Sequence, residues 1–358
     1  MIRRLALVGL ACVVGCFEHG TAADTRRDIL ASWGESIIVA GYHRFAEGAK
    51  ALDAATTAFC AAPDAAGLAQ VRAAWQSARG RWKRMEVFAF GPYTAYPDRL
   101  GSTIDFWPAR EAVINAVLDA DGPLDAATLE VAGAAARGLP AIEALLYAER
   151  DATLDAFAEM PRRCAYLRAA AADLAGLADA MHAAWAPGAG DFVTALTEPR
   201  AGGSYADVQA AFGEIINRMG FALEDIRTAK LGRPLGDEIG SPQPDRAESR
   251  FSGRSLDDIG DVLDGIEDLI DGANGGLGLT AHPKVIAHPE LVESLHRALA
   301  EARAALAAVP PPLTDAVVTA PETVRAAIDA LGQLQRGVQV DLVSALALSL
   351  AFNDADGD

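Results

Sequence analysis

An all-α fold follows from three features of the chain. Alanine runs such as Ala169-Ala170-Ala171-Ala172 recur while aromatic residues make up only 6% of the sequence, a mix that suits close-packed helices better than pleated sheets. Apolar residues return at spacings of three, four and seven over most of the length, which places them on single helical faces. Strand-like alternation nowhere persists beyond a few residues. With 358 residues and 51% hydrophobic composition, the chain can bury a large interior, and its length favours two domains.

The N-terminus comes first. Met1-Ile2-Arg3-Arg4 ahead of the apolar run Leu5 to Val14 reads as a secretory signal, too short to remain as a membrane span. Two processing sites stand open. Thr21-Ala22-Ala23 before Asp24 is a small-residue cleavage site that would define residues 1–23 as the signal peptide, whereas Val13-Val14-Gly15-Cys16 has the form of a lipoprotein box, with a signal over 1–15 and a lipid on Cys16. Either places the folded part in the periplasm or cell envelope.

The first helix is expected over Ser32 to Cys60, where Ile37, Ile38, Tyr42, Phe45, Leu52 and Phe59 share one face, and Pro63-Asp64 ends it. Leu68 to Phe88 repeats the pattern with Val71, Trp75, Trp82 and Met85, and Gly91-Pro92 stops it. Tyr93 to Arg110, rich in proline and glycine, reads as a long ordered loop, a kind of segment that is often functional. Helices resume at Glu111 to Leu118, Ala126 to Ala136, Pro140 to Ala148 and Arg162 to Trp185. The breaker clusters 186–190 and 199–203 separate an N-terminal helical domain, 24–190, from a C-terminal one, 204–358. In the second half, helices are expected at Tyr205 to Ala229, Ser255 to Asp271, Pro289 to Ala308 and Pro321 to Phe352, with a break at 231–236. Ser255-Leu256-Asp257-Asp258 has the form of a capping box.

Charge narrows the partners. The formal net charge is −18, and loss of Arg3, Arg4 and Glu18 with the signal brings the mature chain to −18 − 1 = −19. Nucleic acid and anionic lipid surfaces are therefore poor partners, no nucleic-acid role is expected, and a membrane enters only through a lipid anchor. Of four cysteines, Cys12 and Cys16 belong to the export segment. Cys60 and Cys164 remain, and in an exported chain they most economically pair, closing a loop worth on the order of 4 kcal/mol. A thiol metal site is the alternative, without a CxxC spacing or a nearby histidine to support it.

The segment Arg137-Gly138-Leu139-Pro140-Ala141-Ile142-Glu143 resembles the G-x-H-x-x-E motif of the imelysin-like family, with Pro140 standing where the histidine would be. Phe90-Gly91-Pro92 with Ile104-Asp105-Phe106-Trp107-Pro108, the stretch Lys230 to Gly236, Glu248-Ser249-Arg250-Phe251-Ser252, and the tail Phe352 to Asp358 are similar to further family anchors in order and spacing. The resemblance implies a two-domain all-helical envelope protein with a site near the interface of its halves. It also implies a metallopeptidase class and an association with bacterial iron uptake. Carried over by residue, Gly138 and Glu143 are kept and the imidazole is lost. A histidine and a glutamate three apart on a helix share one face and can hold a metal together; proline has no donor.

Around this motif the candidate ligand-binding residues are Glu143, Gly138, Glu86, Asp105, Trp107 and Arg254, with Glu143 the candidate metal ligand. Each has a simpler reading. Glu143 suits the first turn of a helix begun at Pro140; Glu86 suits a solvated helix end; Trp107 suits a packing anchor. Arg250 and Arg254, before a helix N-terminus, can bind an anion or pair with Asp257 and Asp258. His282 and His288 read as exposed loop histidines, and no HExxH is present. The acidic tail at Asp354, Asp356 and Asp358 ends before an EF-hand could be completed. The function expected is a non-catalytic binding protein linked to uptake of iron or another metal, copper and zinc included, or to a protein partner in that uptake. A metal-dependent peptidase with loop ligands replacing Pro140 is the alternative, and a structural envelope adaptor a third.

Overall fold

The computed structural model describes residues 22–236 and 240–349. The segment read above as an export signal, with Cys16 and His19, and the acidic tail from Asp354 lie outside the described residues. Every regular element among them is helical, and no helix is long and apolar enough to cross a membrane.

The chain begins with α1 (Ala22–Ser32), a π-helical turn (Trp33–Val39) and α2 (Ala40–Ala61), run end to end. The helix thus starts ten residues before the expected Ser32, because Ile29, Leu30 and Trp33 bury completely and extend its apolar face. Asp64 accepts a hydrogen bond from the Gly67 N–H and starts α3 (Ala65–Arg84). The expected loop at 93–110 contains a further helix, α4 (Leu100–Ile104), because Leu100 and Ile104, one turn apart, both enter the core.

Three helices follow toward the motif: α5 (Glu111–Asp119), α6 (Ala126–Ala132) and α7 (Gly138–Tyr147). Then come α8 (Thr153–Glu159) and the long α9 (Pro161–Trp185), started by a proline whose missing N–H costs nothing there. Cys60 and Cys164 are disulfide-bonded, as expected, and tie α2 to α9.

After α10 (Phe192–Thr197), Asp207 accepts from the Ala210 N–H and opens α11 (Val208–Asp225). The break expected at 231–236 is instead a π turn (Ile226–Gly232) leading into α12 (Arg233–Leu235). The helix ends only at Gly236, whose φ of 83° an L side chain rarely adopts. α13 (Ser255–Asp271) has no capping box: Ser255 Oγ donates to the Glu248 carbonyl and Asp258 is spent on other partners. The remainder is α14 (Pro283–Ile286), α15 (Pro289–Ala307), α16 (Leu313–Thr319), α17 (Pro321–Arg336), a third π turn (Gly337–Leu342) and α18 (Val343–Leu346). The last helix closes at Ala347, in the left-handed region, short of the expected Phe352.

In the first half α2 packs on α3 and α9; in the second, α15 and α17 pack together and α11 joins α17. Contacts that bridge the halves include α1 on α11 and α3 on α13. The buried apolar residues form one continuous cluster across both.

Candidate functional site

The α3–α13 crossing carries charge where the core would otherwise be apolar. On α3 the buried face reads Trp75, Ala78, Arg79, Trp82, Lys83, so two cations one turn apart occupy positions of the apolar stripe. A buried charge is tolerable only when paired. Arg79 reaches Asp105 Oδ1 at 2.5 Å, Glu248 Oε1 at 3.0 Å and Asp258 Oδ2 at 2.9 Å. Lys83 Nζ lies 2.5 Å from Glu248 Oε1, 2.6 Å from Glu86 Oε2 and 2.8 Å from Asp105 Oδ2. Lys230, carried by the π turn after α11, completes the set at 2.7 Å from Glu248 Oε2 and 2.8 Å from Glu86 Oε1. Trp82 Nε1 donates to Asp105, and Ser249 Oγ to Asp258.

Burial alone would neutralise these groups, and their mutual fields prevent it. Burial pulls Arg79 and Lys230 down, but the carboxylates around them hold both well above their ordinary values. Burial pushes Glu248 up, and Lys230, Lys83 and Arg79 overcome it and hold the carboxyl well below its usual range. Asp258 is the exception, raised by burial that its partners do not fully offset.

Glu143 stands beside this network. It is only 3% exposed, and burial lifts its carboxyl to about 7, against the opposing hydrogen bonds from Ser252. Its Oε1 accepts from the Ser252 N–H at 2.8 Å and from Ser252 Oγ at 2.7 Å. α7 begins at Gly138, two residues before Pro140; Glu143 is therefore in the second turn, so the helix dipole is a poor reason for its presence. Gly138 has φ 69°, and a Cβ there would lie 2.2 Å from the Ile104 carbonyl oxygen. Its role in the fold is to let α7 meet α4.

Two spaces adjoin these groups. A hollow of about 10 Å³ touches Pro140, Glu143 and Arg79, room for roughly one water. A cleft of about 280 Å³ lies beyond, lined by Tyr93, Arg218, Phe221, Lys230 and others. Trp107 and Glu248 line both and separate them. The Trp107 Nε1–H is buried without a partner.

Of the residues singled out from sequence, Glu86, Asp105 and Trp107 meet at this cleft, and Glu143 lies behind Trp107. Glu86 is not a solvated helix end: its side chain is 13% exposed and held by two lysines, because the chain turns inward after α3. Arg254 faces away and pairs with Asp261, with Asp258 at 3.3 Å; Arg250 pairs with Glu111 at 2.5 Å. Local pairing describes Arg254 alone; the partner of Arg250 is Glu111, distant in sequence, with Asp245 at 3.3 Å. His282 is fully buried rather than exposed, accepting from the Lys284 N–H at the start of α14. Sequence reasoning missed Arg79 and Lys83, and named Asp258 only as a partner for the nearby arginines and Ser252 only within a family anchor. The signal for the first two was present, two cations inside the Trp75–Trp82 stripe.

A resident metal does not fit the donors at this crossing. Glu86, Asp105 and Glu248 each bring a carboxylate oxygen within 4.8 Å of the others, yet Lys83 contacts all three and Lys230 two of them. A divalent ion would have to displace ammonium groups already in place.

Comparison with known proteins gives a consistent picture. The chain is 28% identical over 354 aligned positions to iron-regulated protein A of Synechococcus elongatus, covering 92% of each. Its fold matches an imelysin-like protein from Psychrobacter arcticum with a TM-score of 0.76, at 20% identity over 92% of this chain and 98% of that one. It also matches a protein described as a proposed iron-regulated protein A precursor from Parabacteroides distasonis, TM-score 0.75, at 18% identity over 90% and 94% of the two chains. The imelysin peptidase (M75) family model matches residues 38–338, and the chain belongs to that family.

Proposed function

We propose that this chain is an exported envelope protein that binds a small ligand, a metal species or its chelate, in the service of iron or other metal uptake, and that it does not hydrolyse peptides. The observation that carries the reading is the state of the carboxylates. Pro140 offers no ligand where the motif would have its histidine, Glu143 is spent on Ser252, and Glu86, Asp105 and Glu248 are spent on Arg79, Lys83 and Lys230. A zinc hydrolase needs typically three protein ligands and an open position. The cleft beside Trp107 is instead suited to holding a ligand, with aromatic walls, a mixed-charge floor and an indole N–H awaiting an acceptor. The name of the cyanobacterial relative supports the iron context. Residues 24–190 and 204–358 are taken as the two domains, with the cleft at their crossing.

The test is binding of ferric citrate, haem, copper and zinc to mature protein, followed by native mass spectrometry and tryptophan fluorescence. Stoichiometric uptake by one of them, weakened at least tenfold in Trp107→Ala, supports the reading. Uptake of none sinks it and favours an adaptor that binds protein.

A further inference from the structure

Far from the central network, α2 and α9 run antiparallel, and two histidines meet between them. His43, near the start of α2, and His182, in the last turn of α9, have ring centroids 5.2 Å apart with planes at 69°. The Cys60–Cys164 bond joins the same two helices at their opposite ends, 17 residues from His43 and 18 from His182, or about 25 Å at 1.5 Å per residue. His43 is exposed and His182 half-buried, so a metal from solution can reach them.

We propose that His43 and His182 form a two-imidazole site for a borderline transition metal, copper(II) above all, with zinc(II) and nickel(II) as weaker occupants. The spacing carries it. An imidazole nitrogen binds such a metal at about 2.0–2.1 Å, which puts the ion roughly 3.2 Å from the ring centre, so two rings at a tetrahedral angle have centres about 5.2 Å apart. The ring centres already stand at this distance, and rotation of the two rings in place brings a nitrogen of each toward a shared ion. Among the described residues the rings touch each other and neither is engaged in a hydrogen bond. Partial burial and the facing His43 both push the His182 ring toward its neutral form, the form that ligates.

Oxygen donors flank the pair. Asp179 lies one turn before His182 and Glu47 one turn after His43. Lys50 bridges both, 2.9 Å from Asp179 and 3.5 Å from Glu47; all three side chains are about half exposed. An exposed bridge of this kind is weak, so Asp179 is free to swing to a bound ion as a third ligand. Imidazole with carboxylate is a donor set for copper, nickel and zinc, with copper(II) tightest in the general order of divalent affinities. A bound ion would fasten the helix pair at the end opposite the disulfide. The site is independent of the central cleft and of what that cleft binds.

The experiment uses tag-free mature protein titrated with copper(II), read by calorimetry and electron paramagnetic resonance. The expected result is one copper per chain with two nitrogen donors. His43→Ala and His182→Ala should each weaken binding at least tenfold and leave one nitrogen, while Glu143→Gln binds as the unaltered protein does. Should His182→Ala fail to fold, the exposed His43→Ala decides alone. Copper binding no tighter than in the single-histidine variants, or binding abolished by Glu143→Gln, would overturn the proposal.

Discussion

Arg79 Nε lies 2.9 Å from Asp258 Oδ2, across the crossing of α3 and α13. Both side chains are essentially out of water, at 2% and 0% exposure. The pair joins the two halves through charge, and each partner makes the other's burial tolerable. Replacing Arg79 with methionine leaves Asp105, Glu248 and Asp258 short of a cation, at an expected cost of about 3–5 kcal/mol. Urea unfolding measures it. The double change Arg79→Met with Asp258→Leu should cost less than the sum of the two single changes.

Glu143 sets a pH dependence. Its carboxyl titrates at about 7 in the folded chain, against about 4.3 unfolded. The folded state holds the extra proton between these values, so this group's stabilisation is complete below about pH 4.3 and disappears as pH rises through 7. Glu143→Gln keeps the oxygen that accepts from Ser252 and removes the titration. The variant should gain about 2.5 kcal/mol on the unaltered protein between pH 5 and pH 8. Paired urea titrations at the two pH values give the difference, and no change in it would place the Glu143 carboxyl in a solvated setting.

Gly138 admits no side chain. Its φ of 69° and the 2.2 Å approach to the Ile104 carbonyl together predict that Gly138→Ala loses at least about 2 kcal/mol. Calorimetry should show a lowered Tm with ligand-free protein, apart from any effect on binding.

The Cys60–Cys164 bond spans 104 positions of sequence. Constraint of a loop that long in the unfolded chain is worth on the order of 4 kcal/mol. The double variant Cys60→Ser, Cys164→Ser should fold into the same helices by circular dichroism and unfold at correspondingly lower urea.

The all-helical class and the disulfide were legible because the first rests on local composition and periodicity and the second on a count of two cysteines beyond the N-terminal segment. Helix ends were less so. Ile29 and Leu30 were hidden beside the segment read as an export signal, and the π turn before Arg233 carried the helix through Gly232 and Pro234, residues that normally mark a stop. At the site, Glu143 was singled out through a short motif, Asp105 and Trp107 through an unusual loop, and Glu86 from its place at a helix end. Their ionic partners were not, because Arg79 meets Asp258 across 179 residues of sequence and no period along one helix encodes that. Arg254 illustrates the reverse case. Proximity to a helix N-terminus suggested an anion site, while Asp258 and Asp261 on the following helix were near enough to take the charge.

The central claim is that the ion-paired interior leaves no catalytic metal site in this imelysin-family chain. Cleavage of a mixed peptide library by mature protein, with zinc or iron supplied and then removed by a chelator, tests it most directly. The expected result is no chelator-sensitive hydrolysis, with Glu143→Ala indistinguishable from the unaltered chain. Hydrolysis that a chelator stops and that Glu143→Ala abolishes would contradict it.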